Sequence, residues 1–315
     1  MNKHNEEKIR VFSPATVANV GCGFDVFAFA IDQPGDEIKL SKKAKPGVEI
    51  QEILGNTSLT NDIKKNTVSV SISAMLDYLN INVGISISLY KKMPIKSGLG
   101  SSAASAVGGV FALNHLLKTN LSNELLLGFA NEGEKIASGK NIHLDNTAAC
   151  LYGGFVIVRS QNPIEIISIP VPTNLYCVIL HPQIEINTAE SRKTLPKMIS
   201  LREAIQLWGN TAAVIAALYK SDFDLLKRSI SDPSIEPSRA SQIPNFYGLK
   251  DVAFKSGAVG FGVSGSGPAV FALADSQEKA AHISLRLSDY YKSSGIPFKT
   301  YVSKINKSGP KIVQD

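Results

Sequence analysis

The stretch Pro94-Ile95-Lys96-Ser97-Gly98-Leu99-Gly100-Ser101-Ser102-Ala103-Ala104 runs from a lysine- and glycine-bearing loop into an Ala/Val-rich segment. Small residues let backbone amides approach an anion closely, and the unbonded amides and dipole at a helix start attract phosphate. The hydroxyls of Ser101 and Ser102 could add hydrogen bonds or a ligand to magnesium. A tight turn into a buried helix would use the same residue types. The segment by itself therefore specifies an anion site at a helix start and no substrate.

Two other segments carry unusual residues. Ser13-Pro14-Ala15-Thr16-Val17-Ala18-Asn19-Val20-Gly21-Cys22-Gly23-Phe24-Asp25 places Asn19 and Asp25 in a glycine-bearing loop, where they either face a ligand or cap turns. The run from Gly262 through Ser264-Gly265-Ser266-Gly267-Pro268 to Leu273 sets a flexible turn between two apolar strands, as in a hairpin with unusual glycine needs. The common nucleotide motifs are absent. Gly133 and Gly139-Lys140-Asn141 are one residue too far apart for a Walker loop and lack its final Ser or Thr. The G-x-G-x-x-G at Gly260 to Gly265 leads into a β-like run where a dinucleotide fold needs a helix. No G-x-S-x-G elbow exists, which removes the simplest hydrolase.

The elements that must position these segments are mixed. Arg10-Val11-Phe12, Glu37 to Leu40 and Gly84 to Leu89 are β-rich, while Thr67 to Leu79, Ala103 to Leu117 and Ser122 to Ala137 have helical spacing. A Gly153-Gly154 pair precedes the strand Phe155 to Val158, and prolines follow at 163, 170 and 172. The second half adds strands at Leu175 to Leu180, Gly257 to Val263 and Ala269 to Ala274. Its expected helices are Ser200 to Tyr219, Phe223 to Ser229 and Ser276 to Ser288. The fold class expected is α+β.

With 315 residues, 44% of them hydrophobic and 19% charged, the chain exceeds what one core usually serves, so two domains are expected, dividing near residue 155. The net charge of +6 comes from scattered lysines without an Arg/aromatic surface, which argues for anionic small substrates and against nucleic acid. Cys22, Cys150 and Cys177 are few, odd in number and far apart, so no disulfide framework is expected and a cytoplasmic location fits. The N-terminal tail is polar, and no apolar run reaches the roughly 18 residues of a membrane span.

The three segments, in this order over nearly the whole chain, resemble the GHMP kinases, small-molecule kinases whose central motif reads P-x-x-x-G-L-G-S-S-A-A. The first is similar to the P-A-T-S-A-N-x-G-x-G-F-D of members acting on L-homoserine, with Val17 where Ser is usual and Cys22 where Pro is usual. His143-Leu144-Asp145-Asn146 ahead of Gly153-Gly154-Phe155, and Glu236-Pro237-Ser238-Arg239 ahead of Ile243-Pro244-Asn245, extend the similarity.

The resemblance implies a two-domain fold, residues 1–155 being ribosomal-protein-S5-domain-2-like and ATP-binding, and residues 156–315 a ferredoxin-like α/β sandwich. It implies ATP-dependent phosphorylation of the side-chain hydroxyl of L-homoserine with Mg2+, and is compatible with a homodimer. Pro94 to Ala104 would wrap the ATP phosphates, with Asn66 toward the adenine. Glu134, helped by Ser101 or Ser102, would hold magnesium, Glu132 being the competing carboxylate. Arg192 and Arg239 would face the substrate carboxylate and Asp25 its ammonium, while Asn19, His143 and Thr188 would complete the substrate site. Asp145 and Asn146 would position the reacting groups, with no general base assigned. A mevalonate-type kinase is the alternative enzyme, and Arg239 and Asn19 argue against it. A noncatalytic binding module on the same fold conflicts with the intact loop and Glu134.

Overall fold

Strand formation begins where Val11, Ser13, Ala15 and Val17, spaced by two, share one buried face, giving β1 (Lys8–Ala18). It is followed by β2 (Phe27–Lys43), β3 (Gly47–Leu54), α1 (Thr67–Leu79), β4 (Gly84–Tyr90), α2 (Ser101–Leu117), α3 (Asn123–Ser138) and α4 (Leu144–Tyr152). Next come β5 (Phe155–Gln161), β6 (Ile164–Ile169), β7 (Tyr176–Pro182), α5 (Thr188–Lys193), α6 (Leu201–Lys220), α7 (Phe223–Ser229), α8 (Glu236–Ala240) and α9 (Phe246–Lys255). The chain ends with β8 (Gly260–Val263), β9 (Val270–Ala274), α10 (Gln277–Lys292), β10 (Phe298–Lys304) and β11 (Lys311–Ile312). This computed structural model describes residues 7–55, 58–139, 144–186 and 188–314.

The first sheet has the order β11-β1-β2-β4-β3, with β5 and β6 continuing beside β2. Pro14, which has no N–H for the ladder, sits at the register shift between β1 and β2, where Pro14 faces Gly35 but Ala15 faces Ile31. The extra β2 residues bend that strand. Its first part, Phe27 to Phe29, pairs with β5, and its second part, Glu37 to Lys43, with β4. Helices α2 and α4 lie on β1 and β2, and α1 and α3 pack beside α2.

The second sheet is antiparallel, β10-β7-β9-β8. Alternation along β7 splits its side chains between two cores. Val178 and Leu180 join Phe261 and Tyr291 beneath α9 and α10, whereas Cys177 and Ile179 join the large core of the first sheet. Phe29 of β2 meets Phe271 of β9 edge-on, with ring centroids 6.0 Å apart. The two halves are thus fused by apolar packing, with no loose linker between them. The expected division at residue 155 falls at the start of β5, whose partners are both in the first sheet, and β11 returns to that sheet from the far end of the chain. Among the described residues no helix is long and apolar enough to cross a membrane.

Candidate active site

The loop from Met93 to Gly100 crosses from β4 to α2 with three residues in the left-handed region: Lys96 at φ +51°, Gly98 at +81° and Gly100 at +65°. Glycine is required at two of them. A Cβ on Gly98 would stand 2.2 Å from the Ser264 carbonyl oxygen, and one on Gly100 would stand 2.0 Å from Thr16 Oγ1. The loop is stapled from three sides. Ser264 Oγ donates to the Gly98 carbonyl at 2.7 Å, the Ala269 amide to the Ser97 carbonyl at 3.0 Å, and the Thr16 amide to the Leu99 carbonyl at 3.1 Å. Ser97 Oγ closes the turn through Pro94 O and the Leu99 amide.

The other two sequence segments are therefore the walls of this loop. The β8–β9 turn also reaches the first segment, since the Gly265 amide donates to Ala18 O at 2.9 Å and Asn19 Nδ2 donates to Gly265 O at 3.2 Å.

Helix α2 follows Gly100, its N-cap residue, without any side-chain cap. Its first-turn amides consequently remain available to an anion. They open on a cleft of about 440 Å³ whose lining includes Asn66, Ser101, Glu134, Asn146, Arg192 and Arg239. Of the central segment, Ile95, Lys96, Ser97, Gly98, Gly100, Ser101 and Ser102 border the cleft. Leu99, Ala103 and Ala104 are instead buried in the core. Asn66 caps α1 through the Val68 amide and donates to Thr60 O, so its side chain shapes the wall near Ser58, Leu59 and Lys65.

Electrostatics divide the cleft. On the α3 side, Glu134 is 1% exposed, and burial pushes its carboxyl up to about 7 against a hydrogen bond from Ser102 and the charge of Lys91. Glu132, two residues earlier, is exposed and pairs with Lys135 at 2.6 Å. Ser101 Oγ is buried with no partner among the described residues.

Beside the arginines, Asp25, itself at φ +55°, pairs with Arg192, and its amide donates to Asn19 Oδ1 at 2.8 Å. Arg239 is buried, donates to Ser191 Oγ, and has an Nε without a partner among the described residues. Burial, aided by the Arg192 charge, lowers its basicity to about 10. Asn146 accepts from Thr16 Oγ1 at 2.7 Å in the first turn of α4.

Asp145 is buried behind Asn146, whose amide donates to Oδ1 at 2.8 Å, while Oδ2 has no partner among the described residues. Burial, followed by the nearby Asp25 charge, lifts its pKa from 3.8 to about 6. A carboxylate raised on folding costs stability as pH climbs from its unfolded to its folded value, here about 3 kcal/mol once fully ionised. Asp145→Asn keeps the acceptor for the Asn146 amide. It should melt several degrees above wild type at pH 8 and together with it below pH 4, and a constant difference across pH would contradict this origin.

His143 lies outside the described residues, as does the side chain of Thr188 at the start of α5. Two groups were not singled out by sequence reasoning. Lys91 is fully buried, ion-paired with Asp36, and donates to Ser101 O at 2.9 Å and Ser105 Oγ at 3.0 Å. Asp36 also accepts the Lys92 and Met93 amides at 2.8 and 3.0 Å, so the pair ties β2 to the root of the loop and to the first turn of α2. The second is Phe24, between the arginines. A lysine closing an apolar strand was the only local signal for the first.

Residues 66–154 match the family model "GHMP kinases N terminal domain" and residues 214–293 match "GHMP kinases C terminal". A homoserine kinase of Chlorobium phaeobacteroides (strain BS1) is 41% identical over 96% of this chain and 98% of its own length. One from Pyrococcus horikoshii is 36% identical over 95% and 98%. The crystal structure of homoserine kinase from Cytophaga hutchinsonii superposes with a TM-score of 0.95 at 47% identity, covering 99% of each chain.

Proposed function

We propose, from the premise that the chain belongs to the homoserine kinases of the GHMP kinase family, that its cleft transfers the terminal phosphoryl group of ATP to the side-chain hydroxyl of L-homoserine. The products are ADP and O-phospho-L-homoserine, a step of threonine biosynthesis. The observation that carries this is that two unlike surfaces border one cleft: the uncapped start of α2, and Arg192 with Arg239, the first of them paired with Asp25.

ATP phosphates lie against the loop from Ile95 to Ser102, whose amides and helix dipole take their charge. Homoserine brings a carboxylate, an ammonium and a primary hydroxyl. Its carboxylate takes Arg192 and Arg239, suited to planar pairing. Its ammonium takes Asp25, so binding exchanges the internal Asp25–Arg192 pair for two pairs with substrate. Asn146, fixed by Thr16, and Asn19, fixed by Gly265, hold the hydroxyl end in line with the phosphate. Asp145 orients Asn146. Phosphoryl transfer demands chiefly alignment and charge stabilisation, which this arrangement supplies without an assigned general base.

Among the described residues no group of three or more His, Cys, Asp or Glu gathers. Magnesium bound with nucleotide commonly uses one or two protein carboxylates beside phosphate and water. The buried Glu134 and the unpartnered Ser101 hydroxyl, with Ser102, fit that donor set. They would hold the ion, which would screen charge between phosphate oxygens.

ADP release measured with magnesium and ATP should be rapid with L-homoserine and slight with mevalonate or galactose. Equal turnover of mevalonate, or none of homoserine, would overturn the assignment.

A further inference from the structure

We propose that Phe24 is a positioning residue that sets the selectivity of the cleft for a substrate carrying a carboxylate. This rests on the functional reading above. The Phe24 ring centroid lies 5.7 Å from the Arg192 guanidinium carbon and 5.8 Å from that of Arg239. Both distances fall within the range where a ring face attracts a cation. The two arginines come from different helices, α5 and α8, and like charges side by side repel: after burial, the Arg192 charge is the second cause of the lowered basicity of Arg239. Asp25 attracts both in the free protein, and once the substrate ammonium takes that carboxylate another attraction must hold them side by side.

An aromatic face does so without neutralising either. A carboxylate in its place would satisfy the arginines and compete with the substrate's own carboxylate, whereas a ring leaves their charge to the ligand. The need grows on binding. When the substrate ammonium takes Asp25, Arg192 exchanges its internal ion pair for the substrate carboxylate, and the ring is a contact it keeps throughout.

The ring is also placed accurately. Phe24 is half-buried, and the turn that carries it is closed by the Val26 and Phe27 amides on Gly23 O at 3.0 and 2.8 Å, and by Asn19 on the Asp25 amide. One turn thereby presents both the ammonium acceptor and the spacer for the carboxylate acceptors. Phe24 touches no reacting atom, so its effect is on recognition and not on transfer.

The test compares L-homoserine with 3-aminopropan-1-ol, which has the same ammonium and primary hydroxyl but no carboxylate, in the full-length enzyme. The amino alcohol is followed by turnover or as a competitive inhibitor. Phe24→Leu should raise the KM for homoserine about tenfold, as expected for loss of one to two ring–cation contacts. It should leave kcat and the KM for ATP within about twofold and the constant for the amino alcohol unchanged, so that discrimination falls about tenfold. Phe24→Tyr, which keeps the face, should retain wild-type discrimination. Equal losses with both compounds in Phe24→Leu, wild-type discrimination in Phe24→Leu, or a Tyr variant no better than Leu would each overturn the proposal. Absence of homoserine turnover by the wild-type enzyme would overturn the functional reading and this one with it, and is distinguishable because it precedes any substitution.

Discussion

Replacing Arg239 by leucine should raise the KM for L-homoserine by two to three orders of magnitude while the KM for ATP stays within about twofold. The size follows from what the side chain is: a cation only 4% exposed, bonded to Ser191 on one side and carrying an unpartnered Nε among the described residues. Truncating one member of a buried, hydrogen-bonded charge pair costs roughly 2–5 kcal/mol, because the other charge is left desolvated and alone. Here that other charge would be the substrate carboxylate, left with Arg192 as its remaining guanidinium. Folding should survive, since burial already makes the Arg239 charge costly to the native state, lowering its basicity to about 10. Steady-state kinetics with each substrate varied in turn, beside a melting curve, separate the outcomes. Equal rises in both KM values would mean that Arg239 shapes the whole cleft and does not bind the carboxylate.

The legible parts of this molecule are those whose cause is local. Helix α1 could be bounded at Thr67 and Leu79 because its spacing is helical and Asn66 and Asn80 close it at either end. The loop from Met93 to Gly100 was legible for the same reason, since its small residues record a backbone conformation. Helix α2 starts two residues before its apolar run because Gly100, in the left-handed region, sets the boundary.

What stayed hidden depends on distant partners. Of β2 only Glu37 to Leu40 could be read, because Pro34-Gly35 looks like a turn. In the fold it is the bend that faces Pro14 at the register shift. Strand β10 escaped because it is an edge strand in which Lys299, Thr300, Ser303 and Lys304 break up the apolar pattern. Helix α4 escaped because it is only nine residues long and runs straight into the Gly153-Gly154 pair. In the site, no local pattern marks Arg192 or Arg239 as facing a ligand, and family resemblance alone pointed to them. Lys91 acquires its meaning from Asp36, 55 residues earlier, and Phe24 from two helices more than 160 residues later in the chain.

The pair Glu132 and Glu134 gives the sharpest contrast within one helix. Glu134→Gln should lower kcat at saturating substrates by about a hundredfold to a thousandfold, consistent with the several kcal/mol a bound cation contributes to a phosphoryl transition state. Glu132→Gln should remain near wild type. Helical geometry makes the difference: residues two apart point to different faces. Glu132 consequently meets Lys135 in solvent, while Glu134 is carried into the cleft beside Ser102. A carboxyl lifted to about 7 by burial is a costly group to keep at neutral pH, and it becomes a favourable one when a divalent cation stands against it. The magnesium dependence of kcat should therefore move to higher concentration in Glu134→Asp, where the carboxylate is retained one methylene short, and be lost in Glu134→Gln. A Glu132→Gln variant with the larger defect would transfer the magnesium role to the outer carboxylate. Equal, small defects in both would leave the ion held by serine hydroxyls and phosphate alone.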